Sequence, residues 1–255
     1  MRNFDSVLHC LARSSPLHEK LPSYLGLFRD DRSSRSKSPL FMPALQDVND
    51  RVAFANKQPC LVSFLDKPIK FKSNDLDLVI DYYSLADMSD DLKEWTFDLV
   101  KSNMYDLYAN SKDGWDDEQK RAEMRVPEAR YLVARSADDP SDRKGFLYFR
   151  MIHEETMDDN VMAQTAYCFE VQVVPSARGR GLGEFLMQLL WQIGHYWKMD
   201  KVMLTVFKAN KEAFRFYTGK MGFELDEISP GACLSALMAR KFDYEILSKS
   251  CVADT

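Results

Sequence analysis

The chain has 255 residues and carries 34 lysines and arginines against 39 aspartates and glutamates, which gives a formal net charge of −5. This length suits one domain with appendages or two small ones, and a composition of 45% hydrophobic and 29% charged residues is that of an ordinary globular protein. The acidic balance disfavours direct nucleic-acid binding and is compatible with a cationic substrate. No apolar run approaches the ~18 residues of a membrane span, so none is expected.

The cysteine and histidine spacings exclude common metal sites. The five cysteines contain no C-x-x-C pair, and His153 and His195 have no metal-ligand spacing. We therefore expect reduced thiols, no structural zinc and no metal. The first residues make a poor secretory signal and a poor transit peptide, because acidic residues interrupt them and no small-residue cleavage site follows. The sequence thus predicts a cytoplasmic and nuclear protein without a membrane anchor.

The N-terminal region differs in composition from the rest. Residues 1–43 include the run RDDRSSRSKSP, which predicts a poorly structured or loosely attached arm. A single catalytic domain is expected over residues 44–250, and a helix near Leu45 to Asn56 would form its N-terminal helical extension. Residues 251–255 are expected to form a tail.

The first half of this domain alternates between strand and helix patterns. Residues 78–85, LVIDYYSL, predict a first strand. Ser89 then caps a helix whose apolar residues recur at helical spacing from Leu92 to Leu107. A second, charged helix is predicted over residues 116–124. Two strands joined by a polar hairpin follow it, over residues 130–136 and 145–154.

The stretch from Tyr167 to Gly183 reads YCFEVQVVPSARGRGLG. A β-rich segment runs to Val174 and stops at Pro175, a short basic glycine-rich turn follows, and an amphipathic helix begins near Gly183. The order is therefore a strand, a loop and a helix N-terminus.

The glycines of this loop are typical of an anion site. Gly179, Gly181 and Gly183 lack a Cβ, so backbone N–H groups can turn toward one ligand that approaches closely. The helix N-terminus leaves unpaired N–H groups and adds a partial positive charge, which suits a pyrophosphate. Arg178 and Arg180 would screen the remaining charge. An ordinary β-to-α turn is the alternative for this segment alone.

The remaining third completes an alternating pattern. Apolar residues from Phe185 to Trp197 form one stripe of the helix. Residues 202–207 predict a buried strand and residues 242–249 a last strand. Strands and helices thus alternate around one mixed sheet without an internal repeat.

Two spacings resemble the GNAT acetyltransferase superfamily. One is Arg178-x-x-Gly181-x-Gly183 after a strand, which resembles the acetyl-CoA pyrophosphate loop. The other is N-x-x-A-x-x-F-Y-x4-G-F, which starts at Asn210. The resemblance implies an α/β (α+β) GNAT fold, with a mixed central β-sheet flanked by helices. It also implies acetyl-CoA as co-substrate.

Longer segments resemble one family within it, the NatD family of histone N-terminal α-amino acetyltransferases. They are FDLVKSNMYDLY, YCFEVQ, RGRGLGEFL, KVMLTVFKAN and YEILS, spread over residues 44–249. The resemblance implies acetyl transfer to the N-terminal serine of histone tails that begin Ser-Gly-Arg-Gly, those of the H-four and H-two-A types. It implies histone tails as the peptide partner and activity as a single chain without an auxiliary subunit.

An α-amine is easier to deprotonate than a lysine side chain. An α-amine with a pKa of about 7.7 to 8.0 is partly neutral at physiological pH, whereas a lysine near about 10.4 is almost fully protonated. Deprotonation costs about 0.5 kcal/mol for the first and about 4 kcal/mol for the second. An N-terminal acetyltransferase therefore needs only a modest base.

Glu170 is the candidate for that base, acting directly or through a water. It is the lone acid in an otherwise apolar strand, and the alternative is a core carboxylate paired with an arginine. Strict alternation would put Tyr167 and Phe169 on one face and Cys168 and Glu170 on the other. For Tyr167 and Glu170 to serve one site, the strand must bulge or splay.

The resemblance also implies roles for other residues. The peptide groove would be lined by Tyr108, Tyr167, Phe169, Thr205, Ser229 and Tyr244. The cofactor would contact the main chain of Val171, Gln172 and Val173, the loop and helix residues Arg178, Gly179, Arg180, Gly181, Leu182, Gly183 and Glu184, and the side chain of Asn210. Phe169 departs from the tyrosine of relatives, so the hydrogen bond of that phenol is lost and only its shape is kept.

Two further roles are open between alternatives. The substrate arginine needs a carboxylate partner for a bidentate pair, and the candidates are Glu154, Glu155, Asp158 and Asp159. Tyr217 occupies a position where many GNAT enzymes keep a phenol that protonates the leaving thiolate, but a water could supply that proton.

Two other functions remain as alternatives. One is a GNAT enzyme that acetylates a lysine side chain or a small amine. The other is a catalytically silent scaffold that binds acyl-CoA, although the presence of both Glu170 and the intact loop argues against it.

Overall fold

The computed structural model describes residues 49–73 and 75–252. Its strands, numbered in chain order, are β1 Ile69–Ser73, β2 Leu76–Ser84, β3 Arg130–Ser136, β4 Arg143–Glu155, β5 Met162–Val173, β6 Lys201–Phe207, β7 Glu224–Leu225 and β8 Tyr244–Ser250. The helices are α1 Arg51–Asn56, α2 Asp90–Ala109, α3 Asp117–Met124, α4 Leu182–Tyr196, α5 Lys211–Arg215, α6 Pro230–Cys233 and α7 Ala236–Ala239.

The strands form one mixed sheet in the order β1-β2-β3-β4-β5-β6-β8-β7. β5 and β6 run parallel, and every other neighbouring pair is antiparallel. α4 supplies the crossover between the two parallel strands, as such a connection requires. The predicted mixed sheet flanked by helices is confirmed.

Separate helix pairs cover the two faces of the sheet. On one face, α1 and α4 bury apolar side chains such as Leu186 and Trp197 against β2, β4 and β5. On the other face, α2 and α3 pack Phe97 and Val100 against Tyr131 of β3 and neighbouring residues of β4. The sheet is therefore the middle layer of three, and both of its faces are buried in its central part.

Local sequence signals account for most boundaries. The Ser89 hydroxyl accepts a hydrogen bond from the Leu92 amide at 3.2 Å and caps the 20-residue α2, so that predicted cap is confirmed. The helix expected near Leu45 to Asn56 begins at Arg51, and residues 45–48 lie outside the described residues. β5 begins at Met162, five residues before the predicted start.

Two strands, β1 and the two-residue β7, have no counterpart in the sequence-based predictions. Ile69 and Phe71 are buried while Lys70 and Lys72 are exposed. This alternation is the ordinary signal of a half-buried strand. The antiparallel pairing of β1 with β2 places it at one edge of the sheet.

The predicted arm, residues 1–43, lies outside the described residues, as does the tail beyond Val252. Cys251, the first residue of the predicted tail, is buried in the core beside α4. Within the described ranges, no helix is both long enough and apolar enough to cross a bilayer. Those ranges also hold no cluster of three His, Cys, Asp or Glu side chains placed to bind a metal.

Candidate active site

A gap between β5 and β6 forms the candidate site. The two strands pair only from Thr165 to Cys168 on β5 and from Lys201 to Leu204 on β6. Beyond that point each strand continues without pairing to the other, to Val173 and Phe207 respectively. A cavity of about 650 Å³ lies where they separate, so the sheet itself provides the cleft.

A bulge in β5 sets the direction of Glu170. The register between β4 and β5 shifts between Tyr148 and Phe149, which leaves Phe169 as an extra residue on β5. Glu170 pairs with Tyr148 and turns to the face of the sheet that Tyr167 occupies. The sequence analysis required β5 to bulge or splay if Tyr167 and Glu170 serve one site, and the structure shows a bulge at Phe169.

The glycine-rich loop closes one end of the cavity. A short 3-10 turn over Pro175–Ala177 follows β5, and Gly179 and Gly181 adopt positive φ angles of 72° and 86°. Gly181 is the N-cap of α4 and no side chain caps that helix end. The first N–H groups of α4 therefore stay available to an anion at the cavity wall.

Ten of the predicted cofactor residues line this cavity: Val171, Gln172, Val173, Arg178, Gly179, Gly181, Leu182, Gly183, Glu184 and Asn210. Arg180 does not line it, because its guanidinium pairs with Asp75 before β2. Glycines without Cβ, an open helix N-terminus and a cationic Arg178 fit a pyrophosphate, so this end of the cavity suits acetyl-CoA.

Two predicted site residues, Asn210 and Ser229, form hydrogen bonds that stabilise the fold. The Asn210 side chain accepts a hydrogen bond from the Ala213 amide at 3.1 Å and caps α5, although it also lines the cavity. Ser229 is fully buried, at 0% exposure, and does not line the cavity. Its hydroxyl donates to Glu245 at 2.6 Å and accepts from the Ile246 amide at 2.9 Å. Ser229 thus holds the α6 segment against β8.

The other predicted groove residues lie together at the opposite end. The lining includes Tyr108, Tyr167, Phe169, Thr205 and Tyr244. The hydroxyls of Tyr167 and Thr205 are 2.6 Å apart, and the Phe169 ring lies 4.9 Å from the Tyr167 ring. This end is an aromatic wall, and the roles of its members in binding stay predictions.

Glu170 is buried, with 4% exposure, in a dense set of hydrogen bonds. One carboxylate oxygen accepts from Lys120 Nζ at 3.2 Å and lies 3.5 Å from the Tyr108 hydroxyl. The other accepts from Gln172 Nε2 at 2.8 Å. The alternative of a paired core carboxylate is thus also met, although the partner is a lysine and not an arginine.

Lys120 was not predicted as a site residue. It is 4% exposed and donates to the Tyr108 hydroxyl at 2.9 Å and to both Glu123 oxygens at 3.1 Å. Burial opposes its charge, but Glu123, Tyr108 and Glu170 hold its pKa well above the ordinary value. Lys120 therefore stays an ammonium between two carboxylates.

Glu123 is a second carboxylate of the cavity wall, also missed from the sequence. Burial raises its pKa, and the charge of Glu170 adds to the rise while Lys120 opposes it. Burial likewise raises the pKa of the Tyr108 phenol, which therefore stays protonated. No sequence signal distinguished Lys120 and Glu123 from the other charged residues of α3.

A chain of hydrogen bonds joins the two ends of the cavity. The Arg178 guanidinium donates to the Asn103 side chain on α2. Asn103 donates to Gln172 Oε1 at 2.9 Å, and Gln172 in turn donates to Glu170. The loop arginine and the buried carboxylate are thus held in one network.

Two buried groups next to the cavity can lose a proton only with difficulty. Burial raises the pKa of the Cys168 thiol and of the Tyr217 phenol, both of which line the cavity. A thiol held protonated is a poor nucleophile. Tyr217 likewise stays protonated, but its raised pKa makes it a weak proton donor, so its role as the acid stays a prediction.

The four candidate acids lie at the β4–β5 hairpin, and none of them lines the cavity. Glu154 is the buried one, and its charge acts with burial to raise the pKa of the cavity residue Tyr167. Asp158 accepts a hydrogen bond from the Asn160 amide within the turn. Of the four acids, Glu154 is therefore the one whose charge acts on Tyr167 in the aromatic wall.

Comparison with known proteins identifies the class. Residues 90–223 match the acetyltransferase (GNAT) family. The matched segment is more than half of the chain, so the chain belongs to this family and is an acetyltransferase.

Three of the solved structures similar to this chain are the following. Arabidopsis thaliana NAA60 in complex with a bisubstrate analogue is 15% identical, with 67% of this chain and 97% of that chain covered and a TM-score of 0.47. PaiA N-acetyltransferase from Thermoplasma acidophilum in complex with coenzyme A is 17% identical over 67% and 98%, with a TM-score of 0.46. Ard1 from Thermoplasma volcanium is 17% identical over 69% and 98%, with a TM-score of 0.43.

Proposed function

We propose that this acetyltransferase transfers acetyl from acetyl-CoA to the N-terminal α-amine of histone tails that begin Ser-Gly-Arg-Gly. The observation that carries the proposal is the position of Glu170. Its buried carboxylate lies on a bulge between an aromatic wall and an anion-binding loop. An amine and a thioester brought together in this cavity would meet beside a proton acceptor.

The loop end would hold acetyl-CoA. The first N–H groups of α4, together with Gly179 and Gly181, would bind its pyrophosphate, and Arg178 would balance part of the charge. The unpaired edge of β5 beyond Cys168 would offer main-chain groups of Val171 and Gln172 to the pantetheine arm, whereas the Val173 carbonyl already accepts from Arg178 and Asn103. When bound, acetyl-CoA supplies the acetyl group as a thioester.

The opposite end would take the amine and its proton. Glu170 accepts the proton directly or through a water. A modest base is sufficient for this step, because an α-amine has a pKa of about 7.7 to 8.0. Transfer is direct, since the Cys168 thiol is held protonated and no covalent enzyme intermediate is needed. A lysine substrate would demand about 3.5 kcal/mol more from the same base.

The peptide itself would lie along the aromatic wall. Tyr167, Phe169 and Thr205 shape this surface, and a small N-terminal serine fits beside them. Among the hairpin acids Glu154 is favoured as the partner of the substrate arginine, because its charge already reaches Tyr167. The proposal also implies a cytoplasmic and nuclear location and activity as a single chain.

Mass spectrometry of acetylated peptides tests the proposal. A Ser-Gly-Arg-Gly peptide with a free N-terminus should gain one acetyl group on its α-amine, and the same peptide with a blocked N-terminus should gain none. A peptide with alanine in place of the third residue should react more slowly. Acetylation of a lysine in the blocked peptide would refute the α-amine assignment, and no reaction with either peptide would refute the histone substrate.

A further inference from the structure

Two carboxylates share one lysine behind the aromatic wall. Lys120 Nζ lies 3.2 Å from a Glu170 oxygen and 3.1 Å from each Glu123 oxygen. The two acids come from different elements, β5 and α3, and both line the cavity. The proposed function uses only one of them, so the second needs an explanation.

From this arrangement we infer that Lys120 and Glu123 form a proton relay behind Glu170, in which the proton taken from the amine comes to rest on Glu123. This inference rests on the proposed function, because it assigns the path of the proton that acetyl transfer to an amine must release. Glu170 would touch the reacting amine, whereas Lys120 and Glu123 would act through Glu170.

The proton balance of the relay closes. The amine nitrogen bonds to the acetyl carbon and the C–S bond breaks, so that coenzyme A leaves as a thiolate that takes a proton from water. The amine N–H bond breaks and that proton joins Glu170. Lys120 gives one ammonium proton to Glu123 and takes the Glu170 proton in the same exchange, so it ends as an ammonium again. The net result is a neutral Glu123 acid, an ionised Glu170 ready for the next amine, and no change of charge on Lys120.

Exposure gives the relay its direction. The Glu170 side chain is 4% exposed, and the bound substrates would cover the cavity side of it. The Glu123 side chain also lines the cavity, but at 11% exposure it is the less buried of the two carboxylates and the better placed to pass a proton to water. Burial also raises the pKa of Glu123 above the ordinary glutamate value, which favours it as an acceptor of the proton.

The charges that face Glu123 are balanced while it is ionised. The groups that face it are the ammonium of Lys120, the guanidinium of Arg150, the carboxylate of Glu170 and the phenols of Tyr108, Tyr131 and Tyr148. Two cations thus face two carboxylates. Protonation of Glu123 would leave a single excess positive charge beside neutral phenols.

The test compares Glu123→Gln with the wild type in the pH dependence of kcat, with the Ser-Gly-Arg-Gly peptide and acetyl-CoA. A relay needs Glu123 ionised, so wild-type kcat should fall as pH drops through its raised pKa. Glu123→Gln should lower kcat about tenfold, keep the KM for acetyl-CoA and lose that acid-side fall. Imidazole added as an external proton acceptor should restore part of the lost turnover.

Glu118→Gln is the matched control, because Glu118 is an exposed acid on the same helix. It should keep wild-type kcat and pH dependence. Glu123→Asp is a second variant, which keeps a carboxylate farther from Lys120 and should retain the acid-side fall at a lower kcat. Circular dichroism and acetyl-CoA affinity show whether each variant is folded.

Two results would overturn the relay. One is a wild-type kcat and pH profile in Glu123→Gln. The other is a lower kcat whose pH profile does not move and which imidazole does not raise, because Glu123 would then only support the fold. If the wild type ignores the peptide but acetylates another amine, the proposed substrate fails and the relay is measured with that amine. A wild type inactive toward every amine would overturn both.

Discussion

The two ends of the cavity are built in different ways. The loop end consists of main chain from one short segment, residues 175–184, and depends on backbone angles at Gly179 and Gly181. The other end consists of side chains that meet across 62 and 50 residues of sequence, as Tyr108 and Lys120 do with Glu170. The first end is local and depends on backbone conformation, whereas the second depends on contacts between residues distant in sequence.

Removal of the Glu170 charge should have the largest effect of any single change. Glu170→Gln keeps the shape and the hydrogen bond to Gln172 but cannot accept a proton. We expect kcat to fall about 1,000-fold, which is within the range of general-base catalysis. Acetyl-CoA affinity should stay within about twofold, because the loop end of the cavity is unchanged. Steady-state kinetics with the Ser-Gly-Arg-Gly peptide and calorimetry with acetyl-CoA measure the two quantities.

Glu224→Gln serves as the control, since Glu224 is an exposed acid of the edge strand β7. It should leave both quantities unchanged. Wild-type turnover in Glu170→Gln would remove Glu170 from the base role. A joint loss of turnover and acetyl-CoA affinity would show that the two ends are not separable.

Removal of the Lys120 charge tests how much its buried ion pairs contribute to the stability of the fold. Lys120→Met keeps the aliphatic length but leaves Glu123 and Glu170 facing each other without their shared cation. Breaking a buried ion pair from one side costs about 3 kcal/mol or more. We expect the free energy of unfolding to drop by about that amount, measured by urea denaturation at neutral pH.

Lys93→Met is the matched control for this change. Lys93 and Asp90 also form an i,i+3 pair, but Asp90 is almost fully exposed. A surface pair of this kind is worth at most about 1 kcal/mol. Equal losses from the two variants would mean that burial adds nothing to the Lys120 pair.

The loop end should respond to a change of backbone freedom. Gly181→Asp puts a side chain at a φ of 86° and a negative charge at the helix N-terminus that would bind phosphate. We expect acetyl-CoA affinity to fall about 100-fold, or about 2.7 kcal/mol, with the fold retained. Isothermal calorimetry measures the affinity.

Gly114→Asp separates the anion site from general strain. Gly114 has a φ of 70° and open space where a Cβ would lie, and it lies between α2 and α3 without lining the cavity. The same strain and the same charge there should not change acetyl-CoA affinity. An unchanged affinity in Gly181→Asp would refute the loop assignment.

The contrast between the two ends also explains what the sequence could predict. Local signals were sufficient for the Ser89 cap, the glycine loop and the alternation that requires a bulge near Glu170, because each depends on neighbouring residues. The early start of β5 at Met162 was missed, since that half of the strand is defined by pairing with β4 and has little strand propensity of its own.

Most residues of the side-chain end could not be predicted from the sequence. Lys120 and Glu123 lie on a helix whose composition resembles a solvated surface, and only the tertiary position of α3 buries them. Ser229 was predicted at the groove but bonds within the core, because a hydroxyl can serve either place and the sequence does not show which partners reach it. Residues that depend on contacts distant in sequence therefore need the structure.

The smallest predicted effect concerns the bridge between the two ends. Asn103→Ala removes the side chain that accepts from Arg178 and donates to Gln172, while the loop and Glu170 both remain. Loss of one such hydrogen bond costs about 1 kcal/mol, so kcat and acetyl-CoA affinity should each fall about fivefold.

A double-mutant cycle of Asn103→Ala with Arg178→Gln, read as acetyl-CoA affinity, measures the coupling energy between these two side chains. Because Arg178 also bonds the Val173 carbonyl at 3.2 Å, part of its effect should survive without Asn103. A coupling energy near zero would mean that the main-chain end and the side-chain end act independently. A value near 1 kcal/mol would mean that Arg178, the arginine proposed to bind the phosphates, also helps to orient the buried carboxylate.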